Sequence, residues 1–523
     1  MIMLLAAIFL TACNGMVTPE IVEEVVLAPT PTNTSTPAAT ATVTPTDKPT
    51  ASPPTPTSTP RRTSTPTTTA SPTSLPTSTR TPTARPNITA AAVVSGVQVY
   101  ETTVTLPTYP IRDYLTLQID PIYNLPVYYF QRQAYESAQP TPAPVDYTGI
   151  VLENDYLRLT FLPELGGRLY SAVTKPTGQE VFYHNKVVKP SRYGILEPYE
   201  ANWWLATGGM DWAYPTQEHG YRFGMPWDYS VTQTANSATI TLSDTAPNRV
   251  GVEVRVTLPA DSAAFTINST LTNDTGHTVP VQFWLNAALA LAPDTMSPNT
   301  QFTLPTAEVV VHSRGEEGWD IPGEKETSPW PEIGATNLSH YNQWADYLGF
   351  FIPFMDNPFM AAYNPETDLG VVRLVKPGQV PGNKLFAFGP AFLDRSYTDD
   401  DSQYFEIWGG ANTGFWPEDD VPVPAGDNLQ WQESWWPLAG LGGVTWANEY
   451  AAIFVSQENN DYNLSLAVTR PLKGTLTVLA GETTLLTEPF QADPATPLLW
   501  NFTADEAISV QITDSNNNLI LEY

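Results

Sequence analysis

The chain has 523 residues and a single cysteine, so its length is ample for a large core and no disulfide framework can brace it. Lys and Arg total 24 against 54 Asp and Glu, a formal net charge of −30. That balance repels nucleic acid, anionic membrane surfaces and polyanionic glycans, and favours neutral or cationic ligands. The acidity is uneven. Up to residue 97, Lys48, Arg61, Arg62, Arg80 and Arg85 stand against Glu20, Glu23, Glu24 and Asp47, so the excess of acid lies in the remainder.

In chain order, the first element is the apolar run Met1–Ala12, ending in Leu10-Thr11-Ala12-Cys13. A spanning helix needs about 20 apolar residues, more than this run supplies. A small residue just before a cysteine resembles the lipobox of bacterial lipoproteins. The resemblance implies that residues 1–12 are a cleaved signal peptide and that Cys13 carries a diacylglycerol. The rest would then be extracytoplasmic and lipid-anchored to the bacterial cell membrane. From about Thr18 to Asn87 the chain is Thr, Pro, Ser and Ala, as in Thr55-Pro56-Thr57-Ser58-Thr59-Pro60. Such a stretch cannot bury a core and favours extended polyproline-II conformations. Residues 13–97 are therefore expected to be a disordered linker.

Beyond it the signals are for strands. Val252, Val254, Val256 and Leu258 alternate with Glu253, Arg255 and Thr257, a period of two that gives a strand one buried face. Leu464, Leu466 and Val468 repeat the pattern, as do Ile508, Val510 and Ile512. Turn clusters such as Asn273-Asp274-Thr275-Gly276 separate these runs, and no long 3.6-residue period occurs. An all-β sandwich architecture is expected over residues 98–448. Residues 449–523, poor in aromatics, read as a small separate β-domain, with covering an edge of the main sandwich as one role open to it.

Val151-Leu152-Glu153-Asn154-Asp155-Tyr156-Leu157-Arg158, leading into Leu162-Pro163-Glu164-Leu165-Gly166-Gly167-Arg168-Leu169, resembles the opening of the galactose-mutarotase-like superfamily. Further matching pieces follow in order: Gly208-Gly209-Met210-Asp211-Trp212, Glu218-His219-Gly220, Trp284-Leu285-Asn286-Ala287-Ala288, Pro381-Gly382-Asn383-Lys384-Leu385 and Tyr404-Phe405-Glu406-Ile407. The set resembles in particular a domain-of-unknown-function family within that superfamily, often joined to tetratricopeptide repeats. The resemblance covers about Gln98 to Ala447 and implies a large antiparallel supersandwich. Fold alone does not assign activity.

Mutarotation needs a base for the anomeric hydroxyl proton and an acid for the ring oxygen. The resemblance places Glu406 as the base and His219 as acid or binder, with Glu218 orienting the histidine. A charge between aromatics on a strand is costly to bury unless paired or functional, and a solvent-facing position is the plainer reading of Glu406. Where active relatives carry a second histidine this chain has Asn286, whose amide can bind a hydroxyl but cannot be a general acid. Arg168 can fork onto a ligand or pair with a structural acid. Asp211 is a candidate polar group in an apolar wall, and Trp212 and Trp408 are candidate platforms for sugar C–H faces. Trp203, Trp204, Trp227, Trp435 and Trp436 share that choice between platform and core. His184, His277, His312 and His340 lack motif support and read as surface or turn residues. The acidic runs Asp399-Asp400-Asp401 and Glu418-Asp419-Asp420 read as solvated loops, so no metal and no cofactor is expected. The expectation is a carbohydrate-binding or carbohydrate-processing protein for neutral sugars, an aldose-epimerase-like enzyme if catalytic. A surface protein with a degenerate cleft is the alternative.

Overall fold

A computed structural model describes residues 96–119, 126–191, 200, 203–214, 224–245, 249–315, 320–353, 355, 357–375, 381–389 and 397–523. The segments expected to be signal peptide and linker, up to residue 95 and including Cys13, lie outside the described residues, as do Glu218 and His219. Among the described residues the architecture is two large sheets, antiparallel but for one parallel pairing between Gln98–Thr108 and His184–Pro190, with a small two-sheet sandwich at the C-terminal end, as the alternating sequence pattern leads one to expect.

The Gly251–Pro259 strand illustrates the cause. Val252, Val254, Val256 and Leu258 are buried while Arg255 is exposed. It pairs antiparallel with Ser237–Asp244 on one side and Phe265–Thr272 on the other, within an eight-stranded sheet. Its inner face meets a thirteen-stranded sheet across a shared apolar core, to which Val254, Phe283, Leu285, Ile407 and Trp435 all belong.

The centre of the larger sheet has a different pattern. Leu205–Ala213, Trp284–Leu289 and Phe405–Gly410 are neighbours, and every residue in them is buried. Their outer face is thus covered too, which sheets achieve only when something packs on both sides. Here the cover is aromatic. Tyr183, Phe388 and Tyr404 form one outer cluster, and Trp284, Phe351, Trp408 and Phe415 form another.

The interior also holds an ion pair. Arg373 lies on Leu369–Val375 and Glu433 on Asn428–Ala439, adjacent strands of the eight-stranded sheet, and the guanidinium Nε donates to the carboxylate. Nη1 donates to Asn383 Oδ1 (2.6 Å) and Nη2 to the Gly382 carbonyl (3.3 Å), both on the opposite sheet. The pair therefore ties the two sheets together. Gly409 makes room for it, because a Cβ there would sit 2.3 Å from Arg373 Nη2.

Strands from Trp446–Ala447 to Leu519–Glu522 form two four-stranded sheets around Leu464, Leu466, Val468, Val478, Val510 and Ile512. This unit covers a face, not an edge, of the main sandwich. Val372, Leu374, Trp436 and Leu438 point outward from the eight-stranded sheet and pack with Ala447, Ala452 and Ala467. An apolar outer face of that kind needs a cover, and burying a side chain of this size is worth about 1.5–3 kcal/mol. The outer face of the thirteen-stranded sheet, on the far side, holds the site described next.

Candidate functional site

The Phe405–Gly410 strand sorts its side chains by alternation. Phe405 and Ile407 enter the interior core, which sends Glu406 and Trp408 to the outer face. Pairing then builds two rows across the sheet. Asp211, Asn286, Trp408 and Lys384 stand opposite one another in sequence across four strands. Gly209, Ala288, Glu406 and Phe386 form the neighbouring row. Gly209 and Ala288 are small, so the floor beside the Glu406 carboxylate is low.

Glu406 is 8% exposed, and two neutral donors hold it. Asn286 Nδ2 donates to Oε1 at 3.1 Å and Trp408 Nε1 donates to Oε2 at 2.8 Å. No Lys, Arg or His among the described residues makes an ion pair with it. A buried carboxylate is costly without compensation, and hydrogen bonds from neutral groups compensate only in part. The indole of Trp408 also carries a cation on its face. Lys384 Nζ lies 4.4 Å from that ring and 4.3 Å from Phe415.

Arg168 and Asp211 form the second half of the site. Both are buried, with Arg168 Nη2 2.7 Å from Asp211 Oδ2. Nη1 donates to the Gly208 carbonyl at 2.6 Å, and Nη2 also donates to the Leu205 carbonyl at 3.3 Å. Burial pulls the guanidinium down to about 9, with Tyr170 and Tyr404 acting the other way, so it stays charged at neutral pH. The motif glycines make this geometry possible. Gly208 and Gly209 have φ of +85° and +72°, and a Cβ on Gly208 would lie 2.0 Å from the Tyr183 carbonyl oxygen.

Arg168, Trp204, Asp211, Asn286, Tyr404 and Glu406 line one small cleft with a cavity volume of about 20 Å³. Of the site residues expected from sequence, the fold thus brings together Arg168, Asp211, Asn286 and Glu406. Trp212 turns to the interior core, where its Nε1 donates to the Gly167 carbonyl at 3.1 Å. Alternation on Leu205–Ala213 sends it away from Asp211. Trp408 is fully buried under Lys384 and supports Glu406, so it offers no open face to a ligand. Trp203, Trp435 and Trp436 are core residues, and Trp227 packs edge-on against Tyr214. Among the tryptophans weighed in the sequence, Trp204 lines the Glu406 cleft, stacked on Tyr397 with centroids 5.2 Å apart.

Tyr404 was not singled out by sequence reasoning. It lines the cleft and stacks on Tyr183 at 4.5 Å. The signal was its spacing, since residues 404, 406 and 408 share one face of a strand. Two histidines also differ from the surface or turn role expected. His184 lies within a strand and stacks on Tyr170 at 4.3 Å, and His312 packs edge-on against Phe351 and Phe415. In the acidic runs, Asp399 pairs with Lys189 at 2.8 Å, Asp400 caps Ser402, and Asp420 accepts from Gln282 at 2.7 Å. No cluster of three or more metal-ligating side chains occurs among the described residues.

The family model described as Domain of unknown function (DUF5107) matches residues 123–424. The chain belongs to this family. Among solved structures, a TPR-domain containing protein from Parabacteroides distasonis is similar over 66% of this chain and 56% of its own, at 22% identity and a TM-score of 0.53. The likeness is one of fold, and the chain spans little more than half of that relative. Galactose mutarotase-like proteins from Clostridium acetobutylicum and Lactobacillus casei match at 10% and 14% identity, with TM-scores of 0.40 and 0.36. They cover 56% and 55% of this chain and 96% and 99% of their own.

Proposed function

We propose that the cleft on the outer face of the thirteen-stranded sheet binds neutral carbohydrate and that Glu406 is its general base. The observation that carries this reading is Glu406 itself, a buried carboxylate on the wall of a small cleft, held by two neutral donors and by no cation among the described residues. Such a group is costly for folding and is explained by a task. Its remaining lone pairs can take a proton from a sugar hydroxyl, as proton transfer at an anomeric centre requires. Trp204 and Tyr404 supply aromatic surface beside it, and Arg168, Asp211 and Asn286 supply hydrogen bonds.

The test is a sugar-panel screen by thermal shift, followed by a turnover assay on any sugar that binds. Glu406→Gln should abolish turnover while leaving binding within a few-fold. A second reading, recognition without chemistry, is favoured by Asn286, because an amide cannot donate a proton as a general acid. Under that reading no sugar shows pH-dependent turnover, and Trp204→Ala abolishes binding. A panel on which nothing binds at millimolar concentration would sink both readings and leave the degenerate-cleft alternative.

We also propose, from the lipobox-like sequence, that Cys13 anchors the protein to the outer side of a bacterial membrane. Cys13→Ser should then release it from the membrane fraction. Retention there would end that proposal.

A further inference from the structure

We propose that residues 88–95, just ahead of the first described strand, seat in a groove between the main sandwich and the C-terminal unit and strap the two together. The groove has a cavity volume of about 490 Å³, far larger than the Glu406 cleft. Volumes of about 300–1,000 Å³ are typical of sites that hold a ligand. Its floor is the outer face of the eight-stranded sheet, where Thr266, Ser434 and Leu374 stand opposite one another across three strands. Tyr450 and Leu472 of the C-terminal unit form its wall, and Tyr450 is 48% exposed. The chain enters the main sandwich at one end of this groove. The Val97 carbonyl accepts from Gln233 Nε2 at 2.6 Å and the Val97 side chain is buried, so the entry point is pinned. Gly96 has a φ of +96°, and a Cβ on it would lie 2.4 Å from the Ala260 Cβ. Ala260 directly follows Pro259, which lines the groove.

Composition supplies the fit. From residue 28 to residue 87 the large aliphatic side chains are Val43 and Leu75 alone. The next eight residues read Ile88-Thr89-Ala90-Ala91-Ala92-Val93-Val94-Ser95. The Thr/Pro character thus ends, and an uncharged aliphatic run begins, within eight residues of the groove. Ile88, Val93 and Val94 gain by leaving water for Leu374, Tyr450 and Leu472. Thr266, Gln432 and Ser434 offer hydroxyl and amide groups to the backbone of such a segment. Eight residues extend at most about 29 Å. A tether that short gives the segment an effective concentration in roughly the millimolar range, which favours it over a free ligand making equal contacts. Seated there it leaves the Glu406 cleft clear, because that cleft lies on the other large sheet.

Hydrogen exchange read by mass spectrometry on the full chain decides it. The amides of residues 88–95 should exchange about tenfold or more slowly than an unstructured chain of that sequence. Ser434→Trp, which fills the floor of the groove, should abolish that protection. Val93→Asp combined with Val94→Asp should abolish it too, speed exchange at residues 449–450 and 469–472, and lower the melting temperature. If Ser434→Trp does not fold, this double variant still decides, because it leaves every described residue unchanged. Unprotected amides at 88–95 in the wild type overturn the proposal. Protection that survives Ser434→Trp places the segment elsewhere and overturns it as well. So does unchanged exchange at 449–450 and 469–472 in the double variant. Protection that appears only as concentration rises, with a dimer mass in light scattering, gives the groove to a second copy and also overturns it. None of these outcomes bears on the carbohydrate reading.

Discussion

Two buried polar clusters sit on opposite faces of the same pair of strands, Gly382–Ala387 and Phe405–Gly410. On the inner face, every nitrogen of Arg373 that can donate has a partner, and Glu433 has its cation. On the outer face, Glu406 has no cation among the described residues, and Arg168 Nε and Asn286 Oδ1 have no partner. The first arrangement is a structural tie between sheets. The second is a buried carboxylate held by neutral donors on the wall of a cleft. Burial is similar in the two, so burial alone does not separate a strut from a site. The charge partner does: Glu433 has a cation in contact, and Glu406 has only neutral donors among the described residues.

The largest effects that would break this contrast lie on the inner side. Arg373→Met strands a fully buried Glu433, and removing one partner of such a pair costs about 3–5 kcal/mol. Urea denaturation should show that loss, and Glu433→Gln added to it should recover most of it. If Arg373→Met costs no more than Glu406→Gln, the tie is not structural. Gly208→Ala comes next. It forces a Cβ to within 2.0 Å of the Tyr183 carbonyl oxygen at a φ of +85°. Overpacking of this kind costs about 1–3 kcal/mol, and the displaced carbonyl of residue 208 would also release Arg168. The melting temperature and sugar affinity should fall together.

Outer-face changes should be smaller in stability and larger in function. Trp408→Phe deletes the donor to Glu406 Oε2 and keeps an aromatic ring under Lys384. Loss of one such hydrogen bond costs about 1 kcal/mol. Glu406 would lose its fixed orientation, so sugar turnover should fall more steeply than stability. Glu406→Gln removes a buried charge and one hydrogen bond, and these offset to within about 1 kcal/mol. A loss of several kcal/mol there would mean that Glu406 is structural after all.

Much of the frame was legible in sequence. The period of two at Val252, Val254, Val256 and Leu258 gave a strand and its buried face, because one side of the eight-stranded sheet meets the core. It failed to sort the central strands, because Leu205–Ala213, Trp284–Leu289 and Phe405–Gly410 are covered on both sides and read as continuous runs. The candidate site was legible partly through the family resemblance, which placed Glu406 and Asn286, and partly through residue type, since Arg168 follows two glycines and Asp211 stands between Met210 and Trp212. Asp211 and Glu406 also stand among apolar and aromatic neighbours, where few charges belong. The tryptophans were not legible, because the same indole suits a core, a platform or a hydrogen bond to a carboxylate. Pairing across strands, which sequence does not display, decides among these. It put Trp408 beneath Lys384 and left Trp204 at the cleft.

Asp420 is the intermediate case and tests the contrast at its weak end. Its carboxylate accepts from Gln282 Nε2 at 2.7 Å, as Glu406 accepts from an amide, but it is only half-buried. Burial pushes its pKa up, the Gln282 bond opposes this, and Asp419 and Glu418 reinforce it. A raised carboxyl pKa means that the folded state holds the proton more tightly than the unfolded chain. Stability therefore falls as pH rises from the unfolded value, about 3.9, through the folded one. The penalty is full at pH 7 and absent once both states are protonated. Asp420→Asn keeps the acceptor for Gln282 and removes the charge. It should stabilise the protein at pH 7 by a few tenths of a kcal/mol, an effect limited by solvent screening at about half exposure. Thermal melts at pH 7 and pH 3.5 check the sign: the gap between variant and wild type should close at the lower pH. A gap of equal size at both would place the effect in packing and leave charge out of it.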